Sequence, residues 1–455
     1  MTETLTLERT GAASRTLTGA LAERVSGLRL AAMPREAPAV AKQCLLDWLG
    51  VALAAREEPL VRILIDELSP EDAPAGVSII GHRRRARIDD AVLINGAMGH
   101  ALDFDDVIMP QGHPTVSVAP VALAVAEQRG ASGAEALEAF IAGVETECRI
   151  ARLLGPSHYA RGWHTTATTG AFGAAVAAAR LIGLRGEALE HAFGLAGTQA
   201  AGLKSCFGTM SKPLHPGKAA QNGLLAARLA ARGFTSDPDI LASSQGFAAT
   251  QSAAPDPAAA LEERPAPWIV EALFKYHAAC YLTHDGIEAA IRLRAEERLA
   301  PEAIERVTLE VPAGHLGVCN IEEPATGLQC KFSLRMTAAL ALSGEDTSDD
   351  GLYGDATAVR PDLVALRRKV HVQGTRKGRG CVVTVVTRDG RTLSRVGDVS
   401  QPMRDLAAQQ AKLERKFLNL AGRVLGEARA RETAAMVGRL ETLESVGPLL
   451  DLCRP

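Results

Sequence analysis

The residues best suited to chemistry lie in one short segment. His100, Asp103, Asp105 and Asp106 are followed by His113, so three carboxylates and two imidazoles fall within 14 residues. Most of the residues around them are Ala, Gly, Leu and Val. Moving a charged group into such apolar surroundings costs several kcal/mol unless the group is paired or coordinated. Folding alone does not require this cluster, so the segment indicates a functional site.

Two further segments carry candidate residues. His164 follows Gly162-Trp163, and Lys212 and His215 belong to the run Ser211-Lys212-Pro213-Leu214-His215-Pro216-Gly217-Lys218. Because a residue before proline is biased away from the helical conformation, Lys212 is predicted to be extended in a loop that enters a helix at Lys218. The N-terminus of a helix with lysines beside it is a ready site for an anion. Lys212 and Lys218 are therefore predicted to bind a negatively charged substrate.

The aspartates admit two chemistries. Asp103, Asp105 and Asp106 could bind Mg²⁺, which prefers carboxylate oxygens, as aspartate-rich helices do in isoprenoid enzymes. No second acidic cluster in the sequence obviously faces them, which disfavours that interpretation. In the other interpretation, one aspartate orients or deprotonates a catalytic group and the others cap the local backbone.

Composition excludes several classes of function. At 455 residues the chain is long enough for about two domains. A net charge of -3 and 4% aromatic residues give no sign of a nucleic-acid or anionic membrane surface. The eight cysteines are scattered without a C-x-x-C pair, which suits a reducing cytoplasm better than a zinc site or disulfide framework. Met1 to about Ala13 is predicted to be a polar tail. No apolar run is long enough to predict a membrane span.

The spacing of apolar residues predicts a fold that is mainly α with an α+β second domain. Residues 1–270 and 401–455 are predicted to form a helical bundle rich in Ala and Gly, and residues 271–400 an inserted α/β domain. The predicted helices of the bundle cover residues 41–55, 133 to about 154, 169–184, 186–203, 218–231, 403–425 and 429–443. The second of these opens with Ser132-Gly133-Ala134-Glu135, which has the spacing of a capping box. In the inserted domain, helices are predicted at 283–296 and 333–342, and largely antiparallel strands at 304–311, 381–387 and 392–399. Asp389-Gly390 between two β-branched runs predicts a hairpin that joins the last two strands.

Several of these segments together resemble the MmgE/PrpD family, which includes 2-methylcitrate dehydratase, cis-aconitate decarboxylase and iminodisuccinate epimerase. The matching residues in the first region are Asn95-Gly96, His100 to Asp106, Gly112-His113-Pro114, Gly162-Trp163-His164, Lys212 to Gly223 and Gly233-Phe234-Thr235. Those in the second region are Lys275, Cys280, Thr283-His284 and Lys331 to Leu334. The resemblance runs in order from about residue 17 to about residue 450.

The resemblance implies a homodimer without metal or organic cofactor, in which the inserted domain acts as a lid and the active site lies between the two domains. Carried over by motif, the catalytic residues here are Asp103, His113, His164, Lys212 and His284. Cys280 and Arg335 join Lys212 and Lys218 as residues expected to bind a small carboxylic acid, with Arg335 as a carboxylate clamp.

Three positions depart from the decarboxylase-type members. Val107 stands where those members carry Thr, Cys280 lies near the position of a His, and Arg335 lies near that of a Tyr. These departures disfavour cis-aconitate decarboxylation, although the match to the dehydratases after the acidic motif is also imperfect.

The leading expectation is a hydro-lyase that removes a proton α to a carboxylate and eliminates water from an acid such as 2-methylcitrate. In that hypothesis His113 or His164 is the base, Lys212 holds substrate carboxylates and Asp103 orients or activates a histidine. The alternatives are an epimerase or a decarboxylase with the same site, or a non-catalytic dimer that binds a carboxylate.

Overall fold

The computed structural model describes residues 16–455, so the predicted polar tail from Met1 to about Ala13 lies outside the described residues. The chain divides into two compact units. The first runs to Ala272 and resumes at Leu406–Pro455, and the second is Leu273–Asp405. The predicted divisions lay after residues 270 and 400. Among the described helices, none combines the length and the apolar content needed to cross a membrane.

The first unit is helical, apart from two antiparallel two-residue strands, β1 (Val77–Ser78) and β2 (Arg85–Ala86). Its helices before the second unit are α1 (Leu17–Ser26), α2 (Glu36–Ala55), α3 (Pro59–Leu68), α4 (Ile88–His100), α5 (Thr115–Arg129), α6 (Gly133–Ala160), α7 (Thr165–Ile182), α8 (Glu187–Gly197), α9 (Ser211–Ala230), α10 (Phe247–Gln251) and α11 (Pro257–Leu261). Short 3₁₀ turns occur at Leu30–Ala32, Lys204–Cys206 and Trp268–Glu271.

Glycines let the central helices of this unit approach closely. A Cβ atom on Gly96 of α4 would lie 2.9 Å from the Cα of Gly217 on α9. One on Gly143 of α6 would lie 2.7 Å from the carbonyl oxygen of Gly173 on α7. Backbones this close require small residues at the crossing point. The α4–α9 crossing also matters for the site, because the C-terminal end of α4 carries His100 and the first turn of α9 carries Lys212.

The start of α9 differs from the prediction. The helix begins at Ser211, so Lys212 is helical rather than extended, and Lys218 lies inside the helix rather than at its entrance. The proline after Lys212 occupies the third helical position, where the backbone N–H has no partner within the helix in any case. The tolerance of a first helical turn for proline therefore outweighs the bias of the residue before it. Similarly, α8 ends at Gly197 and not at residue 203.

The second unit joins helices to a four-stranded mixed sheet. Its helices are α12 (His284–Glu297), α13 (Gly327–Lys331), α14 (Leu334–Ser343), α15 (Asp355–Ala358) and α16 (Pro361–Arg367), and its strands are β3 (Ile304–Glu310), β4 (Val370–Gln373), β5 (Cys381–Thr387) and β6 (Thr392–Gly397). The strand order is β4-β3-β5-β6, with β3 and β4 parallel and the other pairs antiparallel. The predicted hairpin at Asp389-Gly390 joins β5 to β6, and Gly390 has a φ of 85°. Apolar residues of α12, α14 and the strands form one core.

The chain then returns to the first unit through α17 (Leu406–Leu425), α18 (Glu427–Gly438) and α19 (Gly447–Leu452). Helix α17 packs against α2. The amide of Gln43 on α2 donates to the carbonyl of Leu406 at 3.0 Å and accepts from Gln409 at 2.6 Å. A helical domain built from both ends of the chain, with an α+β domain inserted, is thus confirmed.

Candidate active site

A buried carboxylate joins two histidines at the end of α4. His100 is the last residue of that helix, and its Nδ1 lies 2.9 Å from Oδ1 of Asp105. Nδ1 of His113 lies 2.8 Å from Oδ2 of the same carboxylate. The side chains of His100 and Asp105 are fully buried, whereas that of His113 is 14% exposed. His113 is therefore the member of this group that a ligand can reach.

The protonation states of this group follow from its surroundings. Although burial opposes it, the two neighbouring imidazoles hold the pKa of Asp105 well below its usual value. An ionised carboxylate only accepts hydrogen bonds, so His100 presents an Nδ1–H to it, and Nδ1 of His113 faces its other oxygen at ion-pair distance. Burial lowers the pKa of His100 to about 4, so His100 is neutral at neutral pH. With Nδ1 of His113 facing Asp105, its Nε2 is the nitrogen left to exchange a proton.

Lys212 and Asp103 form a second polar pair beside these histidines. Nζ of Lys212 donates to Oδ1 of Asp103 at 2.7 Å, and the same oxygen lies 3.7 Å from Nε2 of His113. Asp103 has a φ of 49°, a left-handed conformation that Asp tolerates better than most residues. Because of this turn, the carboxylates of Asp103 and Asp105 point to different partners. Asp103 contacts Lys212, and Asp105 contacts His100 and His113.

The N-terminus of α7 supplies the third side of the site. His164 is the residue before this helix, and its Nδ1 lies 3.0 Å from Nδ1 of His215. Burial, together with His100 and Lys212, lowers the pKa of His164 to about 2, so its ring is neutral. The rings of His164 and His100 lie 6.2 Å apart, and Phe207 packs edge-on against His164. The site therefore holds four imidazoles, of which His100 and His164 carry no charge at neutral pH.

A glycine sets the distance between the acidic segment and α7. Gly112 has a φ of 104°, and a Cβ atom there would lie 2.5 Å from Oγ1 of Thr166. That hydroxyl accepts a hydrogen bond from the backbone N–H of His113 at 3.1 Å. The left-handed backbone and the short distance both require glycine at this position. Gly112 thus allows His113 to sit directly beside the start of α7.

The structure brings together four of the residues predicted for the site, namely Asp103, His113, His164 and Lys212. It adds Asp105 as the carboxylate that faces the histidines, a role that the sequence analysis gave to Asp103. Lys218 lies elsewhere. It is exposed and bonds Gln221 at 2.5 Å, and at 100° per residue it is rotated 240° around α9 from Lys212. The predicted anion site at a helix start beside Lys218 is wrong, because α9 begins at Ser211.

Three predicted site residues belong to the second unit. His284 is fully buried, and its Nε2 lies 3.1 Å from the carbonyl of Ala279. Arg335 donates to Asn320 at 2.6 Å and to Glu322 at 2.8 Å, so its guanidinium already has partners. Cys280 is half-buried and its thiol lies in hydrogen-bonding contact with Cys319. Substrate contact by these residues stays a prediction.

The three aspartates do not converge on one point. Asp106 is fully buried against Cys44 and Thr115, where burial and the nearby Asp47 raise its pKa well above the usual value. A different set, His100, Asp103, Asp105 and His113, places four possible ligand atoms within 4.8 Å of one another. A mixed imidazole and carboxylate set suits Zn²⁺ better than the Mg²⁺ considered from the sequence. The ammonium of Lys212 on Asp103 would compete with such an ion.

Beneath the site lies Glu147 of α6, which the sequence analysis did not single out. Its carboxyl accepts from Ser117 at 2.7 Å and contacts Gln111, and its side chain is fully buried. Burial raises its pKa well above the usual value. Burial therefore favours the protonated form of Glu147 in the folded protein, whereas the unfolded chain has an ordinary Glu pKa near 4.3.

Replacing Glu147 with Gln is expected to change how stability depends on pH. A raised pKa in the folded state gives stability that is present below the unfolded pKa and is lost as pH rises through the folded pKa. Gln does not titrate, so the variant gains stability relative to the parent protein between about pH 5 and about pH 8. Urea denaturation at both pH values measures the two free energies of unfolding. A difference between the proteins that is the same at both pH values would contradict the assignment of a neutral Glu147.

Comparison with known proteins covers nearly the whole chain. The sequence model of the MmgE/PrpD N-terminal domain matches residues 19–260, and that of the MmgE/PrpD C-terminal domain matches residues 277–442. A cis-aconitate decarboxylase of Aspergillus terreus is 27% identical over 481 residues, covering 96% of this chain and 95% of that protein. The cis-aconitate decarboxylase of Homo sapiens is 26% identical over 461 residues, covering 97% and 95%. A cis-aconitate decarboxylase-like protein of Aspergillus oryzae is 28% identical, covering 96% and 97%.

Proposed function

This chain belongs to the MmgE/PrpD family, and on that premise we propose that it is a lyase whose site moves a proton at a carbon next to a substrate carboxylate. Decarboxylation of cis-aconitate is the first candidate reaction, because two of the relatives above are decarboxylases of that acid and the third is named as decarboxylase-like. This reverses the order suggested by the sequence alone, which placed dehydration of 2-methylcitrate first.

One observation carries the proposal. Of the two histidines that contact Asp105, His113 is the partly exposed one, with its Nδ1 held 2.8 Å from the buried Asp105 and its Nε2 beside the Lys212–Asp103 pair. A proton carrier needs a partner that fixes its ring and a free nitrogen that faces the reactant. A cation next to that nitrogen lowers the energy of negative charge that develops on the substrate. These are the requirements of proton transfer next to a carboxylate.

The chemistry of cis-aconitate matches these parts. The carboxylate on its methylene carbon leaves as CO₂, and the electron pair released moves into the neighbouring double bond. Negative charge then develops on the far alkene carbon, which is α to another carboxylate. Addition of one proton at that carbon completes itaconate, so the trianion and one proton give the dianion and CO₂. The enzyme must therefore bind a polyanion, stabilise charge at one carbon and deliver one proton there.

Each residue of the first unit has a role in this scheme. His113 delivers the proton from Nε2 while Asp105 accepts its Nδ1–H and balances the charge of the protonated ring. Lys212 holds a substrate carboxylate in place of its bond to Asp103. His164 acts as a neutral hydrogen-bonding group rather than the proton carrier, because burial lowers its pKa to about 2. Arg335, Cys280 and His284 are proposed to contribute from the second unit.

Dehydration of 2-methylcitrate is a second candidate because it runs the same proton step in the opposite direction. There His113 removes the proton α to a carboxylate, and a hydroxyl leaves from the adjacent carbon. Val107 and Cys280 favour this reaction, since they replace the Thr and His that the decarboxylase-type members carry. The two reactions differ in what leaves, CO₂ or water, and share the group that moves the proton.

Proton NMR of the purified protein with cis-aconitate, 2-methylcitrate, citrate and iminodisuccinate distinguishes the reactions. The proposal predicts the methylene signals of itaconate from cis-aconitate. Dehydration of 2-methylcitrate would instead turn its methyl doublet into a singlet, because the proton on the methyl-bearing carbon is lost, and would assign the dehydratase reaction. In D₂O, entry of solvent deuterium at the α-carbon of iminodisuccinate without elimination would assign the epimerase. If all four acids stay unchanged with folded protein, the proposed substrate class is wrong.

A further inference from the structure

A buried lysine from the C-terminal part of the chain reaches the back of the acidic segment. Lys416 lies on α17, and 1% of its side chain is exposed. Its Nζ donates to the carbonyl oxygen of Phe104 at 2.6 Å, although the two residues are 312 positions apart in the sequence. The same ammonium lies 2.6 Å from Oδ1 of Asp47 on α2 and 3.7 Å from the centre of the Phe104 ring. The ammonium of Lys416 on α17 thus contacts both α2 and the acidic segment that follows α4.

A buried ammonium is costly, and packing alone does not require one. Lysine is almost never fully buried unless it is paired, because the ammonium loses its hydration. Replacing a buried ion pair with apolar residues of similar volume is often neutral or stabilising, so packing alone could fill this space without charge. An ammonium that bonds a backbone carbonyl, by contrast, favours one conformation of that backbone. Lys416 therefore selects one conformation of the backbone segment that it contacts.

The carbonyl that Lys416 binds belongs to the residue between the two functional carboxylates. Asp103 precedes Phe104 in a left-handed turn and points to Lys212, and Asp105 follows it and points to both histidines. Rotation of the peptide after Phe104 would turn Asp105 away from His100 and His113. The hydrogen bond from Lys416 opposes that rotation from the buried side, where no ligand of the site reaches.

We propose that Lys416 is a positioning residue for the reaction. It does not touch the substrate. It holds the Phe104 carbonyl so that Asp105 keeps the rings of His100 and His113 in the orientation that leaves Nε2 of His113 free for proton transfer. The kinetic part of this inference rests on the proposed function, whereas the orientation of the two histidines does not.

The test compares Lys416→Met alone with Lys416→Met combined with Asp47→Asn. The single variant leaves Asp47 charged without its ammonium in a buried place, which alone can unfold the chain. The double variant removes both charges at nearly constant volume, so it is the variant whose result decides the proposal. Arg415→Met is the matched control, because Arg415 is the adjacent cation on α17 and is exposed. Asp47→Asn alone keeps the bond from Lys416 to Phe104.

The first readout needs no substrate. The Nδ1–H protons of His100 and His113, donated to the Asp105 carboxylate, are followed by NMR in the downfield region and assigned with His100→Asn and His113→Gln. In the double variant both signals are expected to shift or to be lost through exchange, while Arg415→Met and Asp47→Asn keep them. Unmoved signals in a folded double variant would overturn the proposal whether or not the protein acts on any acid tested.

The second readout is kinetic and uses the acid that the parent protein turns over. Misplacement of a catalytic group by about 1 Å can cost on the order of 100-fold in rate, so kcat of the double variant is expected to fall roughly 10- to 100-fold. KM is expected to stay within about threefold, because Lys212 still binds the substrate. A kcat equal to that of Arg415→Met would overturn the proposal. If no acid is turned over by the parent protein, the proposed function fails and the NMR readout alone decides on Lys416.

Discussion

Replacing His113 with Gln is expected to lower kcat by about 100- to 10,000-fold while KM changes by less than about threefold. Gln keeps much of the volume and can still donate a hydrogen bond to Asp105, but it cannot carry the proton to the substrate. The loss therefore concerns a step that occurs only in the transition state. Steady-state kinetics on the acid identified by NMR, with the melting temperature as a check on folding, measures both constants.

The matched control for this variant is His191→Gln. His191 is half-buried, and its Nδ1 bonds the carbonyl of Ser236 at 3.0 Å, away from the cluster described above. This variant is expected to retain the kcat and KM of the parent protein. If His113→Gln kept more than about a tenth of the parent kcat, His113 would not be the proton carrier, because general acid–base catalysis contributes more than that.

Replacing Lys212 with Met is expected to lower kcat/KM by about 10- to 100-fold, which corresponds to the roughly 1.5–3 kcal/mol that a hydrogen bond to a charged group contributes. In the free site the ammonium pairs with Asp103, and in the complex it is proposed to hold a substrate carboxylate. Binding of the acid and charge development on it both use this cation, so KM rises and kcat falls together. Inhibition by non-reactive tricarboxylates should weaken in parallel.

Lys204→Met provides the comparison for Lys212. Nζ of Lys204 donates to the carbonyl of Tyr159 at 3.1 Å and lies 3.5 Å from the centre of that ring. Removing this nearby cation lowers the positive charge of the same region without touching Asp103. Equal losses in the two variants would attribute the effect to net charge, and unchanged kinetics of Lys212→Met would remove Lys212 from the site.

The sequence predicted the elements of this protein better than the conformations that join them. Amphipathic spacing and the capping box at Ser132 identified α6, and Asp389-Gly390 identified the β5–β6 hairpin, because these signals are local. The start of α9 was wrong, since two local rules about proline oppose each other there. The structure shows that α9 begins at Ser211, early enough to include Lys212 in its first turn.

The sequence predicted which residues belong to the site better than which of those side chains contact one another. Asp103, Asp105 and Asp106 follow α4 without a helical period, so their spacing does not say which way each carboxylate points. A left-handed residue at Asp103 separates them, and that conformation has no clear signature in the sequence. Lys416 could not have been found at all, because its contact with Phe104 spans 312 positions. The sequence around Lys416 has the apolar spacing of an ordinary amphipathic helix and gives no other signal.

A group held in the site, when it delivers the proton to the carbon α to a carboxylate, adds that proton to one face of the carbon. Itaconate formed from cis-aconitate in D₂O tests this directly, because the delivered deuteron creates a chiral CHD carbon whose configuration can be read after derivatisation. With His113 as the proton carrier, one deuteron is expected at that carbon, in a single configuration. Equal amounts of the two configurations would mean that the intermediate leaves the site before it takes up its proton, and would contradict proton delivery by His113.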